Sequence, residues 1–316
     1  MAISKKPAND EMSQAKEMAR LVFAHHFGNQ KPRRIIHKPS GLTNHVFAVK
    51  HSEGDFVIRI SLDPSRINDF IKEQWAQTRA LKAGVPTPEI LEVGNDVIGH
   101  PFMIARTVTG HEATYNPNRR DILQAMGRAA ALINSIPTSG FGGTFDWSNN
   151  LLSRNETWGE FLQNELRWET KLETLEKHKM LRENQSKSLH KIFTAAQKLK
   201  PKPALNHGDI RLKNVIVNEA GEINAILDWE NCTSNLAPQW ELSLALHDLS
   251  IDEKQDFLKG YGIREKDFVE IAPLIKAFNA INYAPEIERL AEANDKECLE
   301  HYRTRLGGSL DLYSFD

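Results

Sequence analysis

The pattern of apolar positions shifts near residue 109. Short strand-like runs dominate before it, and helical spacing dominates beyond it. Residues 10–26 set Ala15, Met18, Leu21, Val22 and His25 along one helical stripe, which predicts an opening helix. Three strands follow, Arg34–His37, His45–Lys50 and Asp55–Ile60, the last two joined by the hairpin turn His51-Ser52-Glu53-Gly54. A helix over Ile67–Ala83 stops ahead of Pro86 and Pro88, and strand-like runs resume at 89–94 and 101–108. That reads as a five-stranded sheet with one internal helix. Helical spacing then covers 119–135, 157–182, 185–198, 240–249, 252–259, 265–282 and 285–306, with the closing GGSLDLYSFD as a tail against the domain. The expected class is α+β, with an N-terminal sheet lobe and leading helix at 1–108 and a larger helical lobe at 109–316.

One stretch breaks the helical run. Leu205–Glu230 holds three polar clusters, His207-Gly208-Asp209, Asn214 and Asp228-Trp229-Glu230. Between them lie two short apolar segments, 215–217 and 225–227, joined by a turn-like Asn-Glu-Ala-Gly-Glu-Ile, and these predict a hairpin. Asn214 then stands at the mouth of the first strand, Asp228 just past the end of the second, and Asp209 on the loop leading in. A lone Asp or Asn more often caps a helix or makes a turn. The ordered set, converging on one end of a rigid hairpin, points to a site instead.

The residue types suggest its chemistry. Two carboxylates and an amide offer hard oxygens of the kind Mg²⁺ takes alongside substrate phosphates. Asp209 can alternatively orient a hydroxyl. In the first lobe, the turn Pro39–Asn44 can lay backbone N–H groups over phosphates, although one glycine makes it equally a plain turn. Arg59, in the strand Val57-Ile58-Arg59-Ile60, is costly to place unless it snorkels or meets an anion or carboxylate. Glu73 on the following helix is its candidate partner, as part of the site or as a plain surface ion pair. Together these parts describe phosphoryl transfer, which depends on positioning and charge compensation.

Composition narrows the partners. A formal net charge of −2 over 316 residues gives no bulk attraction to nucleic acid or to an anionic membrane. No apolar run reaches spanning length and the first residues lack the apolar core of a signal peptide, so a cytoplasmic location is expected. Cys232 and Cys298 lie far apart without ligand spacing, which fits a reducing compartment and no structural zinc. No obligate protein partner is implied.

The motifs also carry a resemblance. His207-Gly208-Asp209-Ile210-Arg211-Leu212-Lys213-Asn214 matches the HGDxxxxN pattern of the aminoglycoside phosphotransferase/choline kinase-like family, relatives of the protein kinases. Ile226-Leu227-Asp228-Trp229-Glu230 matches the second metal motif of that family, and the likeness extends over about residues 30–315. The resemblance implies a bilobal protein-kinase-like fold with ATP lying between the lobes. It implies Asp209 as catalytic base or hydroxyl-orienting group, Asn214 and Asp228 as Mg²⁺ ligands, and His207 as a loop-shaping residue. For the nucleotide it implies the loop Ser40, Gly41, Thr43 and Asn44, the phosphate-pairing Arg59 with Glu73, and an interlobe linker at Met103–Thr107. Met103 and Ala105 in that linker would meet adenine through the backbone.

The expected activity is therefore ATP- and Mg²⁺-dependent transfer of a phosphoryl group to a hydroxyl of a small molecule. An aminoglycoside, amino-sugar or amino-alcohol is the expected acceptor, and the overall layout is similar to the hygromycin-type branch. The row Glu156, Glu160, Glu165, Glu169, Glu173 and Glu176 can supply carboxylates to a cation. The alternatives are a choline, ethanolamine, homoserine or sugar kinase, or a nucleotide-binding pseudoenzyme. Three departures stand out: Arg59 in place of Lys, Glu241-Leu242 where the family often has Asp-Leu, and Asn134-Ser135 where it often has His. None removes a phosphotransfer residue, and all bear on the substrate side.

Overall fold

The computed structural model describes residues 9–39, 44–145 and 154–311. Two compact units emerge: one runs to Pro117 and takes in Leu212–Cys232, the other comprises Asn118–Arg211 and the chain from Thr233 onward.

In the first unit, α1 (Asn9–His26) leads into β1 (Arg34–Lys38), β2 (His45–His51) and β3 (Gly54–Ile60). Then come α2 (Ile67–Lys82), β4 (Ile90–Gly94) and β5 (Phe102–Arg106). The five strands form one antiparallel sheet in the order β1-β2-β3-β5-β4. Because side chains alternate along a strand, Phe56, Ile58, Ile60, Phe102 and Ile104 share one face. There they pack with Ala15, Ala19, Val22 and Phe23 of α1 into a buried core. The opposite face carries Val57, Arg59, Met103 and Ala105, with Arg59 paired across to Met103.

A second sheet in this unit joins β6 (His111–Glu112), β8 (Val215–Val217) and β9 (Ile223–Ile226) in that order. The expected hairpin is present, with its second strand starting and ending slightly earlier than 225–227. Its turn is closed by Asn218, whose Oδ1 accepts from Ala220 N at 3.0 Å and Glu222 N at 2.9 Å. Strand β6 had no sequence signal, since two exposed residues cannot show a period. Gly110 admits it: a Cβ there would meet the carbonyl oxygen of Val217 at 2.4 Å, and its φ of +128° suits glycine.

The second unit is mainly helical. It contains α3 (Arg119–Asn134), the short α4 (Trp158–Glu160), α5 (Trp168–Lys177), α6 (Glu183–Ala196) and α7 (Gln239–Ala245). It continues with α8 (Ile251–Tyr261), α9 (Glu265–Asn282), α10 (Ala284–Glu292) and α11 (Lys296–Asp311). Strands β7 (Ala204–Asn206) and β10 (Thr233–Asn235) pair within it. An antiparallel-sheet N-terminal lobe and a larger, mainly helical C-terminal lobe make up the bilobal protein-kinase-like arrangement.

Three expected helices come out differently. The run 157–182 breaks after α4 into a wide turn, Phe161–Leu166, and restarts at α5 after Arg167 in a left-handed conformation. At 3.6 residues per turn, Leu166 and Trp168 on one helix would point about 200° apart. Both are buried in the same core with Phe161 and Leu172, so the break resets the phase. The run 285–306 likewise splits at Asn294, which takes φ 53° between α10 and α11. The first part of the expected tail, through Asp311, continues α11 as helix, and 312–316 lie outside the described residues. Helix α7 ends at Ala245, and Ser250 then starts α8 by a reciprocal cap with Glu253.

Helices α3 and α8 approach backbone to backbone. A Cβ on Gly127 would lie 2.1 Å from Phe257 O, and one on Gly260 would lie 2.0 Å from Gln124 O. We expect Gly127→Ala to cost about 1–3 kcal/mol through overpacking, read as a lowered urea midpoint. An alanine at half-buried Gly307, whose Cβ meets nothing within 4 Å, should leave that midpoint close to wild type.

Candidate active site

Arg59 lies on the sheet face turned away from α1, and α2 covers it. Its Nη1 donates to Glu73 Oε2 at 2.6 Å, and the guanidinium sits 5.1 Å from the ring centre of Phe70. The Glu73 side chain is only 1 % exposed. Burial pushes its carboxyl above the usual range and outweighs the pull of Arg59. Burial works against the Arg59 charge, but Glu73 first, then Glu230 and Asp228, hold its pKa above the ordinary value. One guanidinium thus stands in the field of three carboxylates. The second oxygen of Glu73 is buried without a hydrogen-bond partner, so the pair has a remaining acceptor.

Asn214 closes a short turn, Leu212–Asn214, directly before β8, and Asp228 follows β9 after Leu227. Val215 pairs with Ile226, which sets Asn214 opposite Leu227, and Leu227 N donates to the Asn214 carbonyl at 2.7 Å. Asp228 takes φ 66°, ψ 60°, a left-handed conformation that Asp tolerates better than most residues. Trp229 is wholly buried and donates to Ile226 O at 2.9 Å, so it anchors the turn. Glu230 ties the turn to α2: Arg66 Nη2 lies 3.1 Å from its carboxylate, and Lys72 Nζ donates to its carbonyl at 2.7 Å.

In the second unit, the loop after β7 carries His207, Gly208 and Asp209. His207 is fully buried, and its Nδ1 accepts from Asp209 N at 3.2 Å. Glu241 of α7, also fully buried, accepts from His207 N at 2.5 Å with one oxygen and from Gly208 N at 3.3 Å with the other. Burial pushes the Glu241 carboxyl up to about 7, against the pull of these N–H groups and of the Asn134 side chain. Asn134 donates to Leu205 O at 3.0 Å and accepts from the Tyr261 hydroxyl at 2.9 Å. Both sequence departures therefore hold the loop. Asp209 itself is paired with Arg211, whose Nη1 lies 3.7 Å from Asp248, and Asp248 meets Arg305 at 2.6 Å. Arg211, Asp248 and Arg305 carried no signal in the sequence, because ion-pair chains through separate helices have no fixed spacing.

The sequence model of APH, the phosphotransferase enzyme family, matches residues 35–274. The chain belongs to that family. Several solved phosphotransferases share its fold. The crystal structure of aminoglycoside phosphotransferase APH(4)-Ia aligns with a TM-score of 0.67 at 18% identity, covering 93% of this chain and 98% of that one. A thermostable mutant of it in a ternary complex with AMP-PNP and hygromycin B aligns at 0.67 and 17%, covering 94% and 99%. Wild-type aminoglycoside 2'-phosphotransferase-IIIa in its GDP complex aligns at 0.61 and 15%, covering 94% and 98%. No curated protein matches the sequence.

In this phosphotransferase, the expected nucleotide loop Ser40, Gly41 and Thr43 lies outside the described residues, and Asn44 stands just before β2. Met103 and Ala105 sit on β5, a central strand bonded on both sides, so this segment is a strand rather than a linker. Arg106 N and Thr107 N still bond to Glu89 O and Asp55 O, each at 2.9 Å, and extend the ladder further. The backbone at Met103 and Ala105 is thereby occupied by neighbouring strands, and their side chains are what that face offers. Of the six glutamates in the 156–176 row, three are structural. Glu160 caps α4 with Thr157, Glu165 accepts from Gly143 N and Asn155, and Glu176 meets Ser186 and His190.

Among the described residues, no group of three or more His, Cys, Asp or Glu is placed to cage a metal. A divalent ion here would rest on few protein oxygens plus phosphate, the mode Mg²⁺ uses. The amide and carboxylate of Asn214 and Asp228, held at the same end of one hairpin, fit that mode.

Two outcomes follow from these pairs. Arg59→Met leaves Glu73 buried and unpaired and should cost about 3 kcal/mol. Lys50→Met at the exposed Lys50–Asp55 pair should cost under about 1 kcal/mol. Chemical denaturation of both variants compares them. For Glu241, the native pKa lies above the ordinary 4.5, so between about 4.5 and 7 the native state binds a proton that the unfolded state has lost. Its contribution is full below that window and is lost as pH rises through about 7. Stability of wild type relative to Glu241→Gln should therefore fall by roughly 1–3 kcal/mol between pH 5 and pH 8.

Proposed function

We propose that this chain is an ATP- and Mg²⁺-dependent O-phosphotransferase that moves the γ-phosphoryl group onto a hydroxyl of a small molecule. The observation that carries the reading is the anchored loop. Asp209 follows a backbone turn fixed by a buried carboxylate, and Asn214 and Asp228 flank one hairpin, in a member of a phosphotransferase family.

Each group has a role in this reading. Asp209 accepts a hydrogen bond from the acceptor hydroxyl, orients its oxygen and takes its proton as the new bond forms. In the resting state Arg211 pairs with the same carboxylate, so Arg211 neutralises Asp209 until an acceptor arrives. Arg59 meets the nucleotide phosphates with a planar fork while Glu73 fixes its direction. Ser40, Gly41, Thr43 and Asn44 complete the phosphate side, and the side chains of Met103 and Ala105 form an apolar surface for the base. Asn214 and Asp228 hold Mg²⁺, which when bound supplies compensation for charge developing on the phosphates. Phosphoryl transfer asks for such fixed charges more than for covalent chemistry.

The acceptor is a small alcohol. The glutamate row supports a polycationic acceptor less than its count suggests, since half of it is engaged in caps and turns.

Acceptor-stimulated ADP release should fall at least about a hundredfold in Asp209→Ala and in Asp228→Ala. Asp209→Ala should keep nucleotide affinity within a few-fold of wild type, because its role begins with the hydroxyl. Near-normal turnover in both variants would sink the assignment, and nucleotide binding without ADP release on any alcohol would mark a binding protein.

A further inference from the structure

The second unit holds a cavity of about 490 Å³ between α7, α8, α9 and α11. Its lining includes the apolar Leu246, Phe268, Ile275 and the ring of Tyr283. The charged groups on its wall are three cations, Lys254, Lys276 and Arg305, against one carboxylate, Asp248. That volume, with an apolar floor and polar groups on the wall, is usual for a small-molecule site.

Asp248 is already engaged by Arg305 at 2.6 Å and approached by Arg211 at 3.7 Å. Lys254 has no carboxylate partner among the described residues, is half-buried, and feels the like charge of Arg305. Burial first, and then Arg305, lower its pKa. A half-buried ammonium beside a guanidinium is an unfavourable arrangement that an incoming anion relieves. A polycation would worsen it.

The cavity wall is also linked to Asp209 through ion pairs. Asp248 on its wall contacts Arg211, and Arg211 pairs with Asp209. Any molecule seated there lies two ion pairs from the proposed base, within the same compact unit.

We propose that this cavity seats the acceptor, and that the acceptor is a hydroxylated carboxylic acid with an apolar body. This rests on the phosphotransfer reading above. The carboxylate meets Lys254 and Arg305, the body lies on Phe268, Ile275 and Tyr283, and the hydroxyl reaches toward Asp209. In the transfer, the acceptor oxygen forms a bond to the γ-phosphorus of ATP. The bond from that phosphorus to the bridging oxygen breaks, its electron pair leaves on ADP, and the hydroxyl proton passes to Asp209.

The test uses the full chain and two readouts. Calorimetry without nucleotide compares a series of ω-hydroxy aliphatic acids of four to eight carbons with their primary amides and with kanamycin. The acids should bind about tenfold tighter than the amides, as expected for a charge-assisted contact. That preference should vanish in Lys254→Met and return in Lys254→Arg. Equal binding of acids and amides, or tighter binding of kanamycin, overturns the proposal. ADP release is then followed with Mg²⁺-ATP. Release stimulated by the acids, with KM raised about tenfold in Lys254→Met and kcat little changed, supports the acceptor role. Release stimulated only by neutral or cationic alcohols overturns it and leaves the phosphotransfer reading standing. An intact preference for acids with no release from any alcohol overturns the phosphotransfer reading, and with it the acceptor role, and leaves the cavity an anion site.

Discussion

The candidate site depends on a carboxylate that touches no substrate. Glu241 is wholly buried, and its two oxygens take the backbone N–H groups of His207 and Gly208. Without them, two donors in a packed interior would lack partners, at a cost of about 1–3 kcal/mol each. The loop that carries Asp209 is therefore shaped largely through its main chain, with the His207 ring adding one bond to Asp209 N. Asn134 and Tyr261 extend the same network into α3 and α8, so helices remote in sequence share in holding one turn.

Charge in the first unit follows a different logic. Arg59 is surrounded by Glu73, Glu230 and Asp228, and it donates a hydrogen bond to Glu73. An excess of carboxylates around one guanidinium is expensive in isolation. It becomes reasonable where cations and phosphates are to be bound together. Glu230 further distributes its charge over Arg66, which also meets Asp69 at 3.3 Å. The turn after β9 and the helix α2 are thus joined by charge as well as by packing.

Much of this was legible in the sequence, and the exceptions share a cause. The five strands and α1 declared themselves through period, because each packs one face against a single core. Asn214 and Asp228 could be placed at the hairpin ends because a hairpin links sequence position to space directly. Periodicity failed over 157–182, where Leu166 and Trp168 both face the core across a left-handed residue that no composition marks. At β5 the period held, since 101–108 reads as a strand; the linker implied by the resemblance did not, because Met103 and Ala105 pair on both sides. Glu241 was visible only as a departure from an expected Asp. Its role needed the fold, since 34 residues separate it from the His207 backbone it holds.

The glycine contact between α3 and α8 has one more consequence. Most helix pairs are spaced by interdigitating side chains, so their separation drifts as those side chains are exchanged. Here Gly127 and Gly260 leave backbone against backbone, and at that point of approach there is no side chain to exchange. α3 carries Asn134, which bonds the strand leading into the His207–Asp209 loop, and α8 carries Lys254, which lines the cavity. The cavity wall can therefore be rewritten residue by residue over evolutionary time while its distance from that loop stays fixed. Such a joint separates the inheritance of a loop's position from the inheritance of a cavity's lining.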